Sequence, residues 1–146
     1  MTGVQTCALP IYLFKALQNH PGINYSKSIS NEEIREQLKH HHILAYPSTW
    51  EETSCLVLIE SMMAGLMCVH SSLAALPETA MGNTRMYDYT DDRKEHLNRF
   101  VVELDDAIQS TLDGYGVSDE RIEFINEFYS WDTRKYQWEN LLTSLL

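Results

Sequence analysis

Residues 43–70 read ILAYPSTWEETSCLVLIESMMAGLMCVH. Ile43–Tyr46 is a short apolar run without alternation, the pattern of a strand buried on both faces of a parallel sheet. Pro47-Ser48-Thr49 breaks it, and a polar loop follows. Leu56–Ala64 is apolar nearly all round and is closed by Gly65, which suits the left-handed position after a helix. Met67–His70 is a second buried strand. Strand, loop, helix and strand at this spacing predict an α/β fold built on a parallel sheet.

The flanks extend the pattern. Upstream, Leu13–Asn19 reads as a helix tail stopped by His20-Pro21-Gly22, and Ile23–Ser26 as a short strand. Ser30 with Glu33 forms a capping box, and Ile34 and Leu38 put an apolar stripe on the helix that follows. His40-His41-His42 closes that helix as a polar last turn, since neighbouring helical residues point in different directions and do not converge on a metal. Downstream, Leu76-Pro77-Glu78 opens a short helix and Met86–Tyr89 is a further strand. Leu97, Val101, Leu104, Ile108 and Leu112 recur at helical spacing and predict a long amphipathic helix. Asp113-Gly114-Tyr115-Gly116 ends it. Ser118 starts another helix and Trp131 a third, with Trp131 and Trp138 expected to pack the terminal helices together.

Composition narrows the function. The chain has 146 residues, 44% hydrophobic and 22% charged, which suits one globular body of ordinary size. Eleven basic against 21 acidic residues give a net charge of −10. That field repels nucleic acid and anionic lipid at long range. Cys7, Cys55 and Cys68 form no C-x-x-C pair, which fits reduced thiols in a cytoplasmic protein and neither a zinc knuckle nor a redox motif. No apolar run reaches the roughly 18 residues of a membrane span. Met1–Tyr12 lacks the basic start of a signal peptide and resembles a translated sequencing-adapter read-through, so it is set aside as a non-native leader.

Chemistry concentrates between Tyr46 and Gly65. In open α/β sheets, ligands bind beyond the carboxyl ends of the strands. The first turn of a following helix offers free N–H groups and partial positive charge to a phosphate, with Thr53 or Ser54 available as its cap. Glu60 lies in the apolar helix, where a carboxylate needs a partner. Two vicinal hydroxyls, as on a ribose, would serve; so would an internal Arg or Lys. Glu51 and Glu52 suit an acidic loop at a helix N-terminus. Cys55 near that N-terminus would have a lowered thiol pKa, but no His and Asn arrangement accompanies it. His70 reads as a core or surface histidine.

The ordered set Pro47-Ser48, Glu52-x7-Glu60, Met63-Ala64-Gly65 and Leu76-Pro77-Glu78 resembles the C-terminal domain of retaining glycosyltransferases of the GT-B fold, glycosyltransferase family 4 or group 1. The likeness runs from about Leu13 to the C-terminus and includes Tyr129-Ser130-Trp131-Asp132 and Gln137-Trp138-Glu139. It implies that residues 13–146 are part of a nucleotide-sugar-binding domain, a partial Rossmann-like parallel sheet with a helical C-terminal tail, with the N-terminal acceptor domain and a diphosphate-binding Arg or Lys pair lying upstream. Glu60 would hold the ribose hydroxyls of the donor. Glu52, the catalytic-site glutamate of the pattern, would contact hydroxyls of the transferred sugar. The backbone of Thr53, Ser54, Cys55, Leu56 and Val57 would approach the sugar and diphosphate, and Tyr25 and Ser26 the nucleotide base. The resemblance implies a cytoplasmic, bacterial-type enzyme with a nucleotide-sugar donor, a saccharide or lipid-linked acceptor, and no metal or other cofactor. Any contact with a membrane surface would run through the upstream domain.

The family often carries Gly-Phe-Gly where this chain has Thr53-Ser54-Cys55, so side chains here would alter the approach to the donor. The isolated chain is expected to be inactive and marginally folded, with an unpaired sheet edge. Two alternatives stay open: a non-catalytic α/β binding or partner module, and a phosphosugar isomerase- or epimerase-like enzyme.

Overall fold

The computed structural model describes residues 15–16, 18–25 and 28–145. The expected leader 1–12 and Ser26 lie outside them. The chain divides into two compact units, Met1–Glu33 and Ile34–Leu146.

In the first unit, residues 15, 16 and 18 are helical, and the Asn19 amide donates to Lys15 O at 3.2 Å. The turn at His20-Pro21-Gly22 follows, with Gly22 N–H donating to His20 Nδ1. Ile23–Tyr25 forms no strand, correcting the expectation for this stretch. Helix α1 (Asn31–Leu38), whose residues from Ile34 on belong to the second unit, starts at the foreseen capping box. Ser30 N–H and Oγ donate to Glu33 Oε2, each at 2.8 Å, and Glu33 N–H donates back to Ser30 Oγ. Those bonds hold the Glu33 carboxyl below its ordinary pKa. The helix stops at Leu38, and His40 and His41 form a turn bonded to Gln37 O and Leu38 O.

In the second unit, β1 (Ile43–Tyr46), β2 (Met67–Ser71) and β3 (Arg85–Tyr87) form a parallel sheet in the order β1-β2-β3. Ile43 pairs with Met67 and Tyr46 with His70; Val69 pairs with Arg85 and Ser71 with Tyr87. Helices α2 (Leu56–Met63) and α3 (Leu76–Ala80) make the two crossovers. After β3 come α4 (Arg93–Leu112), α5 (Asp119–Phe128) and α6 (Trp131–Ser144). The parallel α/β sheet with a helical C-terminal tail expected from the sequence is therefore present, with three strands among the described residues.

Alternation along the strands divides the core in two. Leu44, Tyr46 and Cys68 join Leu58, Met62, Leu76 and Ile125 on the face covered by α2, α3 and α5. Ile43, Met67, Val69 and Tyr87 join Phe100, Leu104 and Ala107 on the face covered by α4. The central strand β2 is buried from Cys68 to Ser71. β1 is not buried on both faces as its sequence suggests. Ala45 is exposed and the other three residues are half-buried, because β1 is an edge among the described strands. β3 is shorter than expected: Ser72 N–H donates to Tyr87 O, and the chain then leaves the sheet at Asp88.

Two helices differ from expectation. α4 buries His96, Phe100 and Ala107, whereas Leu97, Val101, Ile108 and Leu112 are exposed. The seam is rotated by one residue because polar groups help to make it: His96 Nε2 meets the Tyr87 hydroxyl at 3.2 Å, and Arg85 reaches Asp106 and Ser110. α6 buries no residue, and Trp131 and Trp138 are exposed rather than packed. It is tied to α5 by Thr133 Oγ1 donating to Glu127 O and by the Arg134 guanidinium, 4.6 Å from the Phe128 ring centre. α5 itself docks firmly: Asn126 Nδ2 donates to Met63 O, and the Tyr129 hydroxyl donates to Thr79 O.

Candidate functional site at the carboxyl ends of the strands

Three loops meet where the parallel strands end. The β1–α2 loop carries Thr49–Ser54, the β2–α3 loop Ser72–Ala75, and the β3–α4 loop Asp88–Asp92. Backbone and short side-chain bonds tie them together. Ala75 N–H donates to Glu52 O at 3.2 Å, Tyr89 N–H to Ser72 Oγ at 2.9 Å, and Ser71 Oγ to Ser48 O at 3.5 Å. Ala74 stands in the left-handed region, φ 50°, a conformation that costs a non-glycine residue energy and recurs at functional loops.

Glu51 and Glu52 diverge in their surroundings, Glu51 being exposed and Glu52 half-buried. Glu52 turns inward and is half-buried; the Tyr46 hydroxyl donates to its Oε1. Burial, and then this bond to a carboxylate, push the Tyr46 phenol far above its ordinary range. Cys55 is buried beside the pair. Loss of solvent, with Glu52 close by, raises its thiol to about 11. This corrects the expectation of a lowered thiol pKa: desolvation outweighs the helix N-terminus, and the thiol stays protonated at neutral pH. Cys68 is likewise raised, to about 12, by burial.

α2 begins without a side-chain cap. Cys55, not Thr53 or Ser54, occupies the capping position, and its side chain makes no capping bond. Thr53 and Ser54 are exposed, Leu56 is exposed at the first turn, and Val57 packs on the core. The start of α2 thus presents backbone amides with no oxygen ligand from Cys55, the arrangement that accepts an anion.

Glu60 sits one turn further along. Arg35 Nε donates to its Oε1 at 3.2 Å, and the two side chains are 65% and 31% exposed, Arg35 first. Of the two partners open to Glu60, the intramolecular cation is therefore the one present here. So exposed a pair, held by one nitrogen, is worth at most about 1 kcal/mol. The carboxylate is reachable from solvent, unlike a sealed core pair. Among the described residues, no hydrogen bond or ion pair joins Glu52 to Glu60.

Tyr25 is exposed and belongs to the first unit, whereas Glu52 to Glu60 belong to the second. His70 is a core residue: Nδ1 lies 2.8 Å from Ser71 O and Nε2 2.8 Å from Thr84 Oγ1, and burial lowers its pKa. Among the described residues, no group of three His, Cys, Asp or Glu side chains is placed to hold a metal ion, and no helix is long and apolar enough to cross a membrane.

Sequence reading passed over the part played by Tyr46, Trp50, Tyr89 and Asp91. Thr49, Trp50, Glu51, Leu73, Tyr89 and Asp91 line a cleft of about 340 Å³ above the strand ends. Trp50 in a polar loop after a strand was the one available signal, since a large ring there has no core to join.

The family described as glycosyl transferases group 1 matches residues 10–87, just over half of the chain, from before α1 to the end of β3. No curated protein matches the chain. No solved structure matches it either.

Proposed function

The chain belongs to the group 1 glycosyl transferases, and from that premise we propose that it forms the donor-binding part of a retaining enzyme that moves a sugar from a nucleotide to an acceptor. The observation that supports this most is the α2 N-terminus. It opens without a side-chain cap beside the strand ends, with a solvent-reachable carboxylate, Glu60, on the same helix. A nucleotide sugar has the complementary parts. Its diphosphate meets the free amides from Thr53 to Val57. Its ribose diol replaces the Arg35 guanidinium on Glu60, donating two hydrogen bonds to one carboxylate.

Glu52 then acts on the transferred sugar. The Tyr46 hydroxyl holds one oxygen, and a carboxylate offers about four lone-pair positions, so sugar hydroxyls can donate to the rest. With Tyr46 far too weak an acid to ionise at neutral pH, Glu52 keeps a neutral donor beside it. The reaction in this reading needs no metal. The amides of α2 and basic residues of an upstream segment neutralise the leaving diphosphate. The acceptor is a saccharide or a lipid-linked saccharide, bound with the help of an acceptor domain outside this chain, and the enzyme works in the cytoplasm.

The test is transfer by the protein expressed from the full reading frame. Glu60→Gln keeps the shape and removes the charge that holds the diol. It is expected to raise the donor KM about 10- to 100-fold, one to two charge-assisted hydrogen bonds in magnitude. Unchanged transfer would remove Glu60 from the site.

A further inference from the structure

We propose that the cleft lined by Trp50, Glu51, Tyr89 and Asp91 is a binding site for one neutral hexose ring, and that in the enzyme it receives the saccharide acceptor. The second clause rests on the glycosyl-transfer reading; the first rests on the cleft alone.

The cleft is about 340 Å³, at the small end of the range for small-molecule sites and suited to a single ring. Its walls come from all three loops at the strand ends. Those loops are cross-tied by the bonds from Ala75 to Glu52 and from Tyr89 to Ser72, so the cleft is formed before a ligand arrives. The Trp50 indole is 69% exposed. It offers a flat apolar face, and Tyr89 supplies a second ring. The Tyr89 hydroxyl donates to Asp91 Oδ1 at 3.1 Å. Glu51 and Asp91 line the same cleft as the Tyr89 and Trp50 rings, so carboxylates flank the aromatic walls.

Aromatic faces with flanking carboxylates fit a sugar. The C–H face of a pyranose covers a ring, and its hydroxyls donate to acids that only accept. The lining contains no Lys, Arg or His, so a phosphate or diphosphate placed there meets like charge only. This separates the cleft from the α2 N-terminus, where the diphosphate is proposed to lie. The divergence of Glu51 and Glu52 then has a function: one loop turns one glutamate to the donor and its neighbour to the acceptor.

The chain of 146 residues, labelled with ¹⁵N, is titrated with glucose, mannose and N-acetylglucosamine, and separately with UDP and with choline. The Trp50 indole N–H and the Tyr89 and Asp91 amides are followed by NMR. At least one sugar is expected to shift all three and saturate with a Kd of about 1–10 mM, the limit for some twelve heavy atoms at ordinary ligand efficiency. Trp50→Ala and Asp91→Asn are each expected to weaken it at least about fivefold, while Trp131→Ala leaves it unchanged. The proposal is overturned if no sugar moves these signals, if UDP displaces the sugar, or if choline saturates the cleft and sugars do not. The donor reading fails separately: sugars that bind here while UDP leaves Thr53–Val57 unmoved would keep the cleft and remove the nucleotide site.

Discussion

Replacing Gly65 by Ala tests how the site-bearing helix α2 is closed and held. Gly65 has φ 83°, and Gly65 N–H donates to Met62 O while Leu66 N–H donates to Ser61 O. These are the paired bonds of a left-handed helix stop. A Cβ at Gly65 would lie 2.8 Å from Ile122 Cδ1 on α5, too close for either atom to stay in place. Two costs add. The left-handed conformation costs an L residue about 1–2 kcal/mol, offset by about 0.4–1 kcal/mol from a less flexible unfolded chain. The contact is with the far end of a half-buried, flexible side chain, so moving the Ile122 methyl adds up to about 1 kcal/mol. Gly82→Ala supplies the comparison, because Gly82 has φ 73° and nothing within 4 Å of its Cβ position. Urea unfolding followed by circular dichroism is expected to show Gly65→Ala destabilised by about 1–2 kcal/mol and Gly82→Ala by about 1 kcal/mol or less, at equal m values. For a chain of this size, the larger loss lowers Tm by about 3–6 °C. A Gly65→Ala loss smaller than that of Gly82→Ala would refute the crowding at Ile122, and a neutral Gly65→Ala would refute the helix stop.

Further outcomes follow from the same structure. Tyr46→Phe removes the hydroxyl that donates to the half-buried Glu52, so unfolding is expected to show a loss of about 1–2 kcal/mol, and NMR a shift of the Glu52 amide. Ala74→Gly relieves the left-handed strain in the β2–α3 loop and is expected to stabilise by about 0.5–1 kcal/mol in the same assay. Arg35→Gln breaks an exposed pair and should cost less than about 1 kcal/mol, which a larger loss on denaturation would contradict. His70 has a folded pKa below its ordinary 6.5, so the unfolded chain binds the proton more readily. Its contribution is present above about pH 6.5 and is lost as pH falls below that value. Denaturation at pH 7.5 and 5.5 is expected to show the decline, and His70→Gln to reduce it.

The apolar runs of β1, α2 and β2 were legible because burial writes itself into local composition. Ser30 with Glu33, and Ser118 before α5, were legible because capping acts over three residues; Ser130, which caps α6, was passed over. Long-range partners were not. Arg35 lies 25 positions from Glu60 and Arg85 21 from Asp106, and no local pattern announces either pair. α4 shows the same gap differently: its leucine and valine spacing is helical, yet His96 and Phe100 define the buried seam because Tyr87 waits opposite them. The thiol of Cys55 was misjudged for a related reason, since the sequence shows its helix position but not how far burial excludes water. The Glu52-x7-Glu60 spacing pointed to the right loop and helix. That Tyr46 holds the first glutamate and Arg35 the second is information only the fold supplies.

The most direct test of the donor site is a titration of the ¹⁵N-labelled chain with UDP-glucose and GDP-mannose, comparing the native chain with Glu60→Gln. One donor is expected to shift the amides from Thr53 to Val57 and the Arg35 side chain as the ribose takes its place on Glu60, with affinity falling about tenfold or more in the variant. Equal binding by the two chains, or shifts that bypass both α2 and Arg35, would contradict the account.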